Sequence, residues 1–137
     1  MESFEKWIIK AETDLKSAKK LFEGGNQILD TSIYHTQQCA EKALKTYLDF
    51  KLQPIEQTHD LNKLLLSCKD LDTDFEKLKS RALILTSYST EFRYPGDDLE
   101  PSGEEVANAI EYAEFILTFV KNKIFKNGNV PRETSNQ

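Results

Sequence analysis

No apolar run in this sequence is long enough to cross a bilayer. The longest, around residues 82–85 and 115–120, fall far short of the roughly 20 residues that a spanning helix needs. Cysteine is scarce. Cys39 and Cys68 form no C-x-x-C pair and both fall in helix-like segments, so two small buried hydrophobes are expected rather than a disulfide. Five glycines and four prolines in 137 residues leave no room for a collagen-like or linker composition. The opening MESFEKWIIK lacks the basic and continuously apolar regions of a signal peptide, and the expected location is cytoplasmic. Positive charge is also short. A formal net charge of -5 argues against a broad electrostatic grip on nucleic acid, leaving only a local basic patch to hold a nucleotide or short RNA.

Strand signals and phosphate or nucleophile motifs are missing too. No period-2 segment is bounded by hairpin turns, and there is no G-x-S-x-G elbow, P-loop or dinucleotide-type glycine turn. Helical periodicity takes their place. Over 3–23, Phe4, Trp7, Ile8, Ala11, Leu15, Ala18, Leu21 and Phe22 recur at three- and four-residue steps, and Gly24-Gly25 stops the pattern. A second helix is expected over 30–52, capped by Asp30, burying Ile33, Ala40, Ala43, Leu44, Tyr47 and Leu48. A short third opens at THDL, capped by either Thr58 or Asp60. The fourth starts from a capping box at Thr73 and Glu76 and is expected to continue to Phe92 or Arg93, ahead of Pro95. The fifth starts from a similar box at Ser102 and Glu105, with Val106, Ile110, Ala113, Leu117, Val120 and Ile124 as its seam. The pattern predicts an all-α protein, an up-and-down antiparallel four-helix bundle with one short additional helix. It forms a single domain over 1–126, with a disordered tail over 127–137.

Four groups of residues are candidates for chemistry. In YHTQQCAEKALK, Tyr34, Gln38, Glu41 and Lys45 line one polar face of a helix, while Gln37 falls on the apolar stripe. A buried amide left unsatisfied costs roughly 1–3 kcal/mol, so Gln37 is expected to bond a neighbouring helix or loop, or to form part of a polar cleft. His35 and Cys39 stand four apart, but two ligands do not make a metal site, and neither metal nor cofactor is expected. His59 is expected to make a packing or hydrogen-bonded contact. The acidic residues Glu91, Asp97, Asp98, Glu100, Glu104 and Glu105 read as a solvated loop leading to a capped helix. In EFRYPGDD, Arg93 and Tyr94 stand where the fourth helix gives way to a loop.

The order W-(x)3-A-(x)2-DL-(x)2-A (Trp7 to Ala18), QQ-x-AEKALK (Gln37 to Lys45), THDL-(x)2-LL (Thr58 to Leu65) and RYP (Arg93 to Pro95) resembles the HEPN domain family over nearly all of residues 4–125. The resemblance implies a four-helix bundle with a short extra helix and a tendency to dimerise. It also implies a minimal nucleotidyltransferase as partner in a two-component, toxin-antitoxin-like system. Ribonuclease members use R-x(4-6)-H, in which the cation and imidazole promote attack by the RNA 2'-hydroxyl. Here His35 and His59 both precede Arg81, Arg93 and Arg132, so that motif is absent.

The expectation is a non-catalytic, homodimeric HEPN-like protein with a nucleotide or RNA site between the polar face of the second helix and the end of the fourth. Arg93 would be its phosphate- or carboxylate-binding cation, Tyr94 a ring wall, and Gln37, Gln38 and Lys45 donors, with Glu41 orienting Arg93 through an ion pair. Tyr94 is also the first candidate for modification by the transferase. Tyr88, Phe92, Phe115 and Phe119 are expected to leave an apolar surplus for a second chain.

Overall fold

In the computed structural model, residues 1–96 and 99–125 are described. Asp97, Asp98 and the expected tail lie outside them. The described residues form α1 (Ser3–Phe22), α2 (Leu29–Phe50), α3 (Leu61–Leu71), α4 (Lys79–Leu85) and α5 (Gly103–Phe125), with no strand among them. No helix there is long and apolar enough to cross a membrane.

Gly24, at φ 76°, takes the left-handed conformation that lets the chain leave α1 and turn into α2. Ser32 then donates its hydroxyl to the Ala18 carbonyl at 2.7 Å, tying the two helices together near the turn. Helix α2 is central, packing on α1, α3, α4 and α5. It begins one residue earlier than expected, with Ile28 at the cap position. Asp30 sits in the first turn instead, and its carboxylate accepts from the Thr31 amide at 2.8 Å.

At α3 both candidate caps are used. The Asp60 carboxylate accepts from the Asn62 amide, and the Thr58 hydroxyl accepts from the Asp60 amide. Ser102 accepts from the Glu105 amide at the start of α5, as its spacing suggests. The expected seams hold: Ile33, Leu44 and Leu48 of α2, Leu61 and Leu64 of α3, and Val106, Ala113 and Val120 of α5 are all buried in one core.

The fourth helix differs from expectation. Only Lys79–Leu85 is α-helical, flanked by 3-10 turns at Thr73–Leu78 and Thr86–Ser89. Asp72, rather than Thr73, supplies the cap, its carboxylate accepting from the Asp74 amide. After Leu85 a run of hydroxyl residues competes with the helical ladder. Thr86 accepts from the Leu61 amide, Ser89 donates to the Thr86 carbonyl, and Thr90 donates to the Ser87 carbonyl. Phe92 then has φ 67°, which ends any helical path before Arg93.

That change of path turns most of the expected apolar surplus inward. Tyr88 is buried and donates its hydroxyl to Glu105 at 2.6 Å, Phe92 stacks on it, and Phe119 packs edge-on to Phe75. Of the four aromatic residues only Phe115 remains exposed, with the Arg81 guanidinium 3.7 Å from its ring centre. Cys39 and Cys68 are both free and buried.

Candidate functional site

The polar stripe of α2 is built as its spacing predicts, but most of it is covered. Gln37, Gln38, Glu41 and Lys45 are all buried. Both oxygens of Glu41 are occupied: Oε2 accepts from Lys45 Nζ at 2.9 Å, and Oε1 accepts from His59 Nδ1–H at 2.9 Å and Gln37 Nε2 at 3.2 Å. Gln38 adds a longer contact to the same oxygen and donates to Gln37 Oε1 at 2.7 Å. The remaining hydrogen bond of the Gln37 amide goes to the His59 carbonyl at 2.9 Å, the loop partner that a buried amide requires.

Burial by itself would raise the Glu41 carboxyl pKa. Hydrogen bonds from Lys45 and His59 outweigh that, holding the acid below its ordinary value of 4.5. Lys45 also lies 5.7 Å from the centre of the Trp7 ring, which brings α1 to the edge of the network.

Arg93 reaches the same helix near its start. Its guanidinium carbon lies 3.8 Å from the centre of the Tyr34 ring, a close cation–π stack. The expected Glu41–Arg93 ion pair is not formed, because Glu41 lies seven residues further along α2 and is saturated by Lys45 and His59. Tyr34, not Tyr94, supplies the ring against Arg93. Tyr94 is 72% exposed and makes no ring contact or side-chain hydrogen bond among the described residues. Among the described residues no carboxylate lies within ion-pair distance of Arg93, whose planar guanidinium is stacked on the Tyr34 ring.

A second charged cluster lies on the α1 side of α2. Buried Asp14 accepts from His35 Nδ1–H at 2.8 Å and Lys42 Nζ at 2.6 Å, and these bonds hold it below its ordinary 3.8 against the upward push of burial. His35 is therefore turned to a carboxylate and not to Cys39, whose thiol burial pushes far up. Among the described residues no group of three or more His, Cys, Asp or Glu side chains is arranged to hold a metal ion. Asp14 joins this cluster from α1 and His59 joins the other from the loop before α3. Neither partnership could be read from spacing, since the pairs are 21 and 18 residues apart.

The sequence model of the HEPN domain family matches residues 4–123. The chain belongs to the HEPN domain family. Among curated proteins nothing matches it. Two solved structures share this HEPN architecture. One is the crystal structure of ST0689, an archaeal HEPN homologue, at 30% identity and a TM-score of 0.70, covering 90% of this chain and 99% of that one. The other is the crystal structure of TT1696 from Thermus thermophilus, at 26% identity and a TM-score of 0.75, with the same coverage. Membership accounts for the long α1, α2 and α5 and the short α3. The Arg93–Tyr34 stack and the Glu41 network both lie within the matched residues of this HEPN chain.

Proposed function

We propose that this HEPN protein is a binding component and not a nuclease, taking the phosphate of a nucleotide or RNA at Arg93, beside Tyr34 near the start of α2. The observation that carries this reading is the Arg93–Tyr34 stack: a planar cation held against a ring, with no carboxylate among the described residues to neutralise it. A bidentate contact from the guanidinium to a phosphate needs little further ordering of the side chain. Gln37, Gln38, Glu41 and Lys45 support the site from beneath by fixing the surface of α2, rather than by donating to the ligand directly.

Family membership supports the wider role. The protein acts as a homodimer with a minimal nucleotidyltransferase, in a toxin-antitoxin-like pair, and the exposed Tyr94 is the residue the transferase modifies. Intact-mass and peptide mass spectrometry after co-expression with a minimal nucleotidyltransferase tests this, and an unmodified Tyr94 beside an active transferase contradicts it.

The absence of R-x(4-6)-H supports a role without cleavage. Incubating wild type and Arg93→Ala with structured and unstructured RNA, without divalent metal, separates binding from catalysis. Binding weakened in the variant with intact RNA in both samples is the expected result; cleavage by wild type that the variant loses makes the protein a divergent ribonuclease.

A further inference from the structure

Arg93 is not alone on the α2 face. Tyr34, which carries Arg93, and Glu41, which carries His59, are seven residues apart. Seven helical residues turn through about 700° and rise on the order of 10 Å, so the two side chains leave the helix in nearly the same direction, about two turns apart. The fold thereby places a histidine from before α3 and an arginine from beyond α4 along one strip, although in sequence they stand in the wrong order for a nuclease motif.

His59 is unusual in being both exposed and fixed. Its side chain is 70% exposed, yet Nδ1–H is bound to the buried Glu41 carboxylate and its carbonyl to the buried Gln37 amide. The next residue is held as well: the Asp60 amide donates to Thr58, while the Asp60 carboxylate caps α3. Two buried polar residues of the central helix thus hold His59, Glu41 by its solvent-facing imidazole and Gln37 by its backbone carbonyl. Core stability alone does not require this, since well-packed apolar residues commonly replace buried ionic groups without loss. With Nδ1 committed to Glu41, Nε2 is the nitrogen left to meet a ligand, and in the imidazolium form it donates.

We propose that His59 Nε2 is a second phosphate contact of the Arg93 site, so that the ligand spans from Arg93 to His59. This rests on the reading of Arg93 as a phosphate contact. A mononucleotide presents its phosphate to one end only. A strand carries a phosphate at every nucleotide, so two of its phosphates meet the two ends of the strip, which selects a short single strand over a mononucleotide. Glu41 is a positioning residue here; it fixes the imidazole and does not touch the ligand.

The test uses calorimetric or anisotropy titrations of wild type, His59→Asn and Arg93→Ala with two probes, deoxyadenosine monophosphate and a 5'-phosphorylated deoxyadenylate tetramer that lacks the 2'-hydroxyl. Asparagine keeps an N–H donor near the position of Nδ1, and so the bond to Glu41, while removing Nε2; a Tm near that of wild type verifies that the fold is intact. Arg93→Ala is expected to weaken both probes at least tenfold. His59→Asn is expected to weaken the tetramer five- to tenfold and to leave the monophosphate within twofold. If His59→Asn leaves the tetramer unchanged, or weakens both probes equally, the spanning site is overturned while the Arg93 reading stands. Should Arg93→Ala alter neither probe, both readings are overturned.

Discussion

Gln37, fully buried in the middle of α2, donates its side-chain amide to the carbonyl oxygen of His59 at 2.9 Å. The same amide reaches Glu41, so one side chain links the central helix, its buried acid and the loop before α3. Replacing it with leucine leaves the His59 carbonyl without this partner and removes one donor from Glu41. A loss of about 1–3 kcal/mol of stability is expected, read as a lower urea midpoint with an unchanged m-value.

Acid sensitivity follows from the two buried carboxylates. Asp14 and Glu41 are both held below their ordinary values of 3.8 and 4.5. For a depressed acid the unfolded chain binds the proton more readily. The stability it contributes is fully present above its ordinary value and is lost as pH falls through that value toward the folded one. Urea midpoints should therefore be level near pH 6 to 7 and drop steeply below about pH 4.5. Asp14→Asn should flatten the drop while lowering the plateau.

Thr86 predicts a remote effect on α3. Its hydroxyl accepts from the Leu61 amide at 2.9 Å, so Thr86→Val leaves one of the amides at the start of α3 unpartnered. A cost of about 0.5–2 kcal/mol is expected, comparable to loss of a helix cap. Amide exchange should accelerate at Leu61 before it does in the middle of α2.

Thiol reactivity checks the packing independently. Cys39 and Cys68 are both buried, and burial raises both thiols, that of Cys68 to about 12. A disulfide-exchange reagent at about pH 8 should label neither in the native protein within minutes and both in denaturant. Rapid native labelling at either site contradicts the core described above.

Much of this is legible in the sequence because long amphipathic helices announce themselves by period. The seams of α1, α2 and α5 and the exit at Gly24 follow from apolar spacing and glycine chemistry alone. Spacing over-extends the fourth helix because periodicity registers Leu85, Tyr88 and Phe92 but not the competing hydroxyls of Thr86, Ser89 and Thr90. For the site, spacing places Glu41 and Lys45 on one face of α2. It carries no information about His59, Trp7 or Asp14, whose contacts are created by tertiary packing. The Glu41–Arg93 pair is expected when opposite charges are assigned to one cleft; the nearer Lys45 and His59 take both carboxylate oxygens first.

The central claim is that Arg93, stacked on Tyr34, is a phosphate contact, and the most direct test is calorimetric titration of adenosine monophosphate into wild type and Arg93→Ala at low salt. Saturable binding by wild type, weakened at least tenfold in the variant with its Tm unchanged, is the predicted result. Equal affinity in the two proteins, or no binding by either, contradicts it.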